Sequence, residues 1–134
     1  MYLLDTNVVS EFRKPRPHGA VVAWIDDVKD ADLHISAVTF GEIQRGIERT
    51  RVQDADKAAA LERWANNLAD TYNVLPMTSE IFRLWAKLMH KQSDTITEDA
   101  MITATAIVHE LTVVTRNVND FERFGVKIIN PFSS

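Results

Sequence analysis

Apolar positions along the chain follow two rhythms, short continuous runs and longer stretches spaced three or four residues apart, and the two alternate. Tyr2-Leu3-Leu4, Leu33-His34-Ile35, Val74-Leu75-Pro76, the β-branched residues 112–115 and residues 126–129 read as five short strands. Pro76 ends the third, because proline has no N–H to give a ladder. A helical turn is expected over residues 8–12, and a helix over 20–28 with Val21, Trp24, Ile25 and Val28 on one face. Ser36 or Thr39 is placed to cap a helix running to Arg49, since a hydroxyl satisfies a free N–H of the first turn. Residues 54–72 form a longer helix with Ala58, Leu61, Trp64, Ala65 and Leu68 on one side. Thr78 or Ser79 opens the next, lined by Ile81, Leu84, Trp85 and Leu88, and Thr97 is expected to cap the helix over 98–109. Strands alternating with helices predict an α/β fold, a parallel sheet with helices on both faces.

Loop signals are short, at Lys14-Pro15-Arg16-Pro17, Asp30-Ala31-Asp32, Gln92-Ser93-Asp94 and Asn130-Pro131, and there is no repeat or linker. One domain over residues 1–134 is therefore expected. Nearly half the residues are hydrophobic (46%), enough to build a core and unlike a disordered chain. The absence of cysteine excludes disulfides and thiolate metal ligands and suits a reducing cytoplasm. No basic region precedes an apolar stretch at the N-terminus, and the run over 100–108 is too short for a membrane span, so a cytoplasmic protein is expected. The formal net charge of −4 argues against coating nucleic acid by bulk charge, and confines any basic surface to a patch.

The acids fall where chemistry is expected. Ligands of open parallel sheets bind beyond the carboxyl ends of the strands. Asp5 follows the first strand, Glu42 lies early in the helix after the second, and Asn117 and Asp120 follow the fourth. Asp99 opens the helix leading into the fourth strand, whose N-terminus points at the same edge if the sheet is parallel. Clustered carboxylates raise one another's pKa, and a hard divalent cation relieves the conflict. Oxygen donors without cysteine suit Mg²⁺ or Mn²⁺ better than zinc. Thr6 and Asn7 add a hydroxyl and an amide beside Asp5.

Four segments carry a family resemblance: Leu3-Leu4-Asp5-Thr6-Asn7-Val8-Val9-Ser10-Glu11, Ser36-Ala37-Val38-Thr39-Phe40-Gly41-Glu42-Ile43, Glu98-Asp99-Ala100-Met101-Ile102-Thr103-Ala104-Thr105-Ala106 and Val114-Thr115-Arg116-Asn117-Val118-Asn119-Asp120-Phe121. Together with the closing Ile129-Asn130-Pro131-Phe132, they resemble the motifs of PIN-domain ribonucleases of the VapC toxin kind, in order and over nearly the whole chain. The resemblance implies a three-layer α/β/α fold with a mostly parallel five-stranded sheet. It implies a Mg²⁺- or Mn²⁺-dependent endoribonuclease with Asp5, Glu42, Asp99 and Asp120 as catalytic acids, of which Asp5, Asp99 and Asp120 hold metal. Relatives differ in the fourth acid, and Asn117, which brings no charge, is left as a neutral ligand or substrate contact. The implied partners are RNA, a VapB-like antitoxin whose C-terminal segment covers the acids, and a second copy of the chain in a homodimer or larger toxin–antitoxin assembly.

Arg13, Lys14, Arg16, Arg45, Arg49, Arg51 and Arg116 are candidate phosphate contacts, Arg116 foremost for its place beside the acids. Trp24, Trp64 and Trp85 are expected in the core, or lining a dimer interface or antitoxin groove. The histidines lack zinc spacing, and the glycines form no phosphate loop or dinucleotide fingerprint. Two other readings compete. A phosphatase with Asp5 as nucleophile of the haloacid-dehalogenase type wants an aspartate where Asn7 stands. A degenerate PIN scaffold that only binds would have no reason to keep four acids.

Overall fold

The computed structural model describes residues 1–133; Ser134, the last residue of the expected domain, lies outside them. Among the described residues the order is β1 (Tyr2–Leu4), α1 (Thr6–Val9), α2 (Gly19–Asp26), β2 (Leu33–Ser36), α3 (Ala37–Gln53), α4 (Ala55–Thr71), β3 (Asn73–Leu75), α5 (Ser79–Met89), α6 (Thr97–His109), β4 (Thr112–Val114), α7 (Val118–Glu122) and β5 (Ile128–Ile129). Short 3₁₀ turns follow α1 and precede β2 and α6. The strands pair in the order β3-β2-β1-β4-β5, and every pairing is parallel.

Alternation along these short strands sends successive side chains to opposite faces. Leu4 pairs with Ile35 and Val114, and with Leu33 these enter one buried cluster beneath α1 to α4. Leu3 pairs with Val113, and both join Ile102, Ala106 and Phe121 of α6 and α7 on the other face. Apolar residues on both faces of so short a strand require helices on both sides, which gives the three layers. The 17-residue helices α3 and α4 close against each other through Ile47, Ala58 and Ala65.

Local chemistry sets the element ends. Ser36, not Thr39, caps α3, accepting from Val38 N at 3.1 Å, and α3 runs on to Gln53. Asp54 ends α3 and caps α4 by accepting from Lys57 N at 3.0 Å. Thr78 rather than Ser79 caps α5. The cap expected of Thr97 does not form: its hydroxyl donates to Asp94 O at 2.6 Å, closing the preceding turn instead. Strand β3 begins a residue early and excludes Pro76, and β5 is only Ile128–Ile129. Helix α1 begins at Thr6 because Asp5 caps it, and α2 at Gly19 because His18 does. The expected core tryptophans are half-buried: Trp24 meets Tyr2 edge-on at 5.0 Å, and the Trp85 indole donates to Thr97 O at 3.2 Å. Among the described residues no helix is long and apolar enough to cross a membrane.

Phe121 ties fold to site, because it is fully buried against the sheet one residue after Asp120. Phe121→Ala should lower unfolding free energy by about 3–5 kcal/mol through the cavity it leaves. Urea denaturation measures this, and a loss below about 1 kcal/mol would mean that α7 is not anchored by this ring.

Candidate active site

The strand order reverses between β1 and β4, since β2 and β3 lie on one side of β1 and β4 and β5 on the other. At such a switch point the connections leave in opposite directions and open a crevice at the strand carboxyl ends. Asp5 and Thr115 are the residues that leave β1 and β4 there, and Asp5 N donates to Val114 O, just before Thr115, at 2.9 Å. The Thr115 hydroxyl donates to Asp5 Oδ2 at 2.8 Å, Thr6 N donates to Oδ1 at 2.8 Å, and Asn7 Nδ2 donates to Oδ2 at 3.2 Å.

Asn7 and Thr115 extend this network. Asn7 Oδ1 accepts from Arg116 N at 3.1 Å, and Thr115 Oγ1 accepts from Asn117 N at 2.9 Å. The loop after β4 is therefore moored to the loop after β1. Thr6 performs a parallel task toward α3: its hydroxyl donates to Glu42 Oε1 at 3.2 Å and lies as far from Thr39 Oγ1, a fully buried hydroxyl.

Glu42 stands in the second turn of α3, and Asp99 in the first turn of α6. Both helices run back against the strands, so both N-termini face this rim, where the macrodipole favours negative charge. Asp120 lies in the single turn of α7, a helix the sequence pattern did not reveal. All four expected acids thus meet at one rim.

Their electrostatics record the crowding. Burial pushes the Asp5 carboxyl above its ordinary range; the donors from Thr115 and Thr6 oppose this, and the charge of Asp120 adds to it. Glu42 is raised by burial too, against the Thr6 hydroxyl and with the charges of Asp5 and Glu98. Asp99 is pushed up to about 6, by burial first and then by Asp5, Asp120, Glu42 and Glu98. Glu98 is a fifth acid that the sequence reading left unassigned, and Arg45 faces it at 3.7 Å.

A divalent cation suits this donor set. The oxygens are hard, three of the carboxyls are held above their ordinary range, and a cation would reverse that by favouring their charged forms. Thr103, one turn beyond Asp99 on the same face of α6, keeps a buried hydroxyl with no hydrogen-bond partner among the described residues. Among the described residues, no three acids or imidazoles are drawn into the spacing of a finished metal cage. The acids converge without closing.

Thr115 is the main residue sequence reasoning passed over. It lies inside a quoted motif, but a threonine after a strand carries no charge to draw notice. Of the candidate phosphate contacts, Lys14 is paired with Glu11, and Arg51 is held at 3.0 Å by both Glu48 and Glu62. Arg116 stands exposed beside the acids, as expected, and Arg13 lines a cleft of about 280 Å³ that also contains Thr6, Glu42, Lys57 and Trp64.

Between pH 3.8 and about 6 the folded chain keeps a proton on Asp99 that the unfolded chain has released. The unfolded state then binds fewer protons, so stability contributed by neutral Asp99 is lost as pH rises through this window. With a chelator present, Asp99→Asn should melt a few degrees higher than the parent chain at pH 7 and at nearly the same temperature at pH 4. Equal melting points at both pH values would count against the crowding. Thr115→Val removes a donor to a buried carboxylate and should cost about 1.5–3 kcal/mol in urea denaturation. A loss within error would show that the Asp5 network carries no stability.

A family model described as the PIN domain matches residues 2–127. The chain is 36% identical to VapC ribonuclease Y4jK of Sinorhizobium fredii, over 98% of this chain and 98% of that protein. It is 31% identical to Toxin FitB of Neisseria gonorrhoeae, over 98% of this chain and 99% of that protein. The crystal structure of FitAcB from Neisseria gonorrhoeae superposes with a TM-score of 0.84 at 32% identity, covering all of both chains (100% and 100%).

Proposed function

The chain belongs to the PIN-domain family, and from that premise we propose how its acid rim works. The protein is a ribonuclease of the VapC kind, the toxin of a toxin–antitoxin pair, and its partner is an antitoxin protein. The observation that carries the mechanism is the convergence of Asp5, Glu42, Asp99 and Asp120, from four distant segments, on the switch point of the sheet.

Asp5, Asp99 and Asp120 would hold one or two divalent cations, Mg²⁺ with Mn²⁺ as its substitute. When bound, the metal supplies an acidified water and a counter-charge for the phosphoryl transition state. Glu42 orients the attacking water and takes its proton, a role suited to a half-buried carboxyl with a raised pKa. Thr6 fixes the Glu42 carboxylate; Thr115 and Asn7 fix that of Asp5. Asn117 makes a neutral contact to metal or substrate, and Arg116 binds an RNA phosphate.

The whole of residues 1–134 is one PIN domain working in the cytoplasm, where its RNA is found. The cleft leading from Glu42 has an apolar wall of Ile43, Ile47, Leu61 and Trp64 and a basic edge of Arg13 and Lys57. An antitoxin C-terminal segment lying in it would cover the acids. Phe82 and Ile107, both exposed on the paired helices α5 and α6, are the apolar surface offered to a second copy. A homodimer of this kind is the unit of larger toxin–antitoxin assemblies.

Asp5→Asn should abolish Mg²⁺-dependent cleavage of total RNA and keep a folded circular dichroism spectrum. It should also lose the rise in melting temperature that Mg²⁺ gives the parent chain, since a ligand that binds only the native state stabilises it. Glu42→Gln should keep the Mg²⁺ shift and lose roughly 10²–10⁴-fold in kcat. Undiminished cleavage by Asp5→Asn would remove the proposed site.

A further inference from the structure

Phe132 lies twelve positions beyond Asp120 in the sequence, yet its ring reaches the edge of the acid rim. The guanidinium carbon of Arg116 sits over that ring, 3.9 Å from its centroid. Arg116 is pinned at its other end, because its backbone N–H donates to Asn7 Oδ1 at 3.1 Å, and Asn7 also holds Asp5. With both ends fixed, a long and flexible side chain keeps few of its rotamers.

The ring itself is firmly placed. Phe132 N donates to Asn130 Oδ1 at 3.0 Å, the ring meets His18 edge-on at 5.2 Å, and it packs against the core cluster that contains Leu4 and Val114. Asn130 directly follows β5, and β5 pairs with β4, so strand pairing brings the terminal segment alongside Arg116. Glu11, a buried carboxylate, is held below its ordinary range by Lys14 first, with the His18 N–H and the charge of Arg116 contributing. Its oxygens are taken by Lys14 and by His18 N at 3.0 Å. Among the described residues, no carboxylate stands within salt-bridge distance of Arg116.

With its carbon over the ring and, among the described residues, no carboxylate in salt-bridge range, the guanidinium keeps its N–H donors free, and those are the donors that grip a phosphate by two oxygens. Arg116, Asn117, Asn119, Asp120 and Asn130 line one cleft of about 330 Å³. A strand passing the acid at Asp120 would therefore run along the wall that Arg116 forms. We infer that Phe132 is a positioning residue for RNA binding, whose ring holds the Arg116 guanidinium at that wall ready for a backbone phosphate. This rests on the reading of the rim as a ribonuclease site.

The test compares Arg116→Ala, Phe132→Leu, Phe132→Tyr and the double variant Arg116→Ala/Phe132→Leu with the parent chain. A fifth protein carries a fluorinated phenylalanine in place of Phe132; it keeps the ring's shape and packing, unlike leucine, and weakens its negative face. Each is assayed for Mg²⁺-dependent cleavage of a single-stranded oligoribonucleotide, and for binding of that oligonucleotide in an Asp5→Asn background over a range of salt. Phe132→Leu and the fluorinated ring should raise KM and Kd about two- to fivefold with kcat nearly unchanged. They should also lower the salt slope toward that of Arg116→Ala. Phe132→Tyr should restore parental values, and the double variant should bind no worse than Arg116→Ala alone. Parental binding by the fluorinated protein overturns the proposal, as does an equal loss from Phe132→Leu with and without Arg116. If these losses appear but Asp5→Asn still cleaves, the positioning role stands and the reading of the acid rim fails. If Asp5→Asn is dead and the Phe132 variants bind normally, the reverse holds.

Discussion

One carboxylate governs this molecule: Asp5, buried at the point where the sheet changes direction. Burial alone would drive it neutral, because a charge taken out of water must be replaced by fixed dipoles. The chain supplies three donors, a backbone N–H from Thr6, an amide from Asn7 and a hydroxyl from Thr115. Two are its own neighbours; the third follows a strand more than a hundred residues later. That hydroxyl makes the reactive edge a property of the completed sheet and not of any local segment.

From Asp5 the network spreads in two directions. Toward α3, Thr6 joins Asp5 to Glu42 by giving its N–H to one carboxylate and its hydroxyl to the other. Toward the loop after β4, Asn7 takes Arg116 N and Thr115 takes Asn117 N, so the basic and amide side chains are set by the same groups that hold the acid. Asp99 meets this assembly without such a bond, and burial first, then the charges of Asp5, Asp120, Glu42 and Glu98, push it up to about 6. The rim is thus rigid where it is hydrogen-bonded and electrostatically tense where it is not. Such a site gains from a cation more than any single acid would.

Much of this could be read from residue order. Five short apolar runs alternating with amphipathic stretches gave the strands and the layers, and acids placed just after strands gave the rim. Asp99 was harder, since it precedes its strand by a whole helix; only the parallel sheet brings the start of α6 to the same edge. Short polar features were the least legible. Helix α7 is a single turn held by Phe121, too brief to show a period. The choice between Ser36 and Thr39 depended on which hydroxyl met a free N–H and which was buried against Thr6. Thr97 was misjudged because its hydroxyl found a carbonyl first. Thr115, whose partner Asp5 is remote, leaves no mark in its local sequence, and Glu98 beside Asp99 gives no local sign that it meets Glu42 from another helix.

The central claim is that separated acids share one hard cation at the sheet's switch point. A crystal of the protein grown with Mn²⁺, measured at a wavelength where manganese scatters anomalously, tests it directly. The account predicts a strong anomalous peak ligated by oxygens of Asp5, Asp99 and Asp120, at about 2.0–2.2 Å. A peak bound elsewhere on the surface, or none at the rim under saturating Mn²⁺, would contradict it.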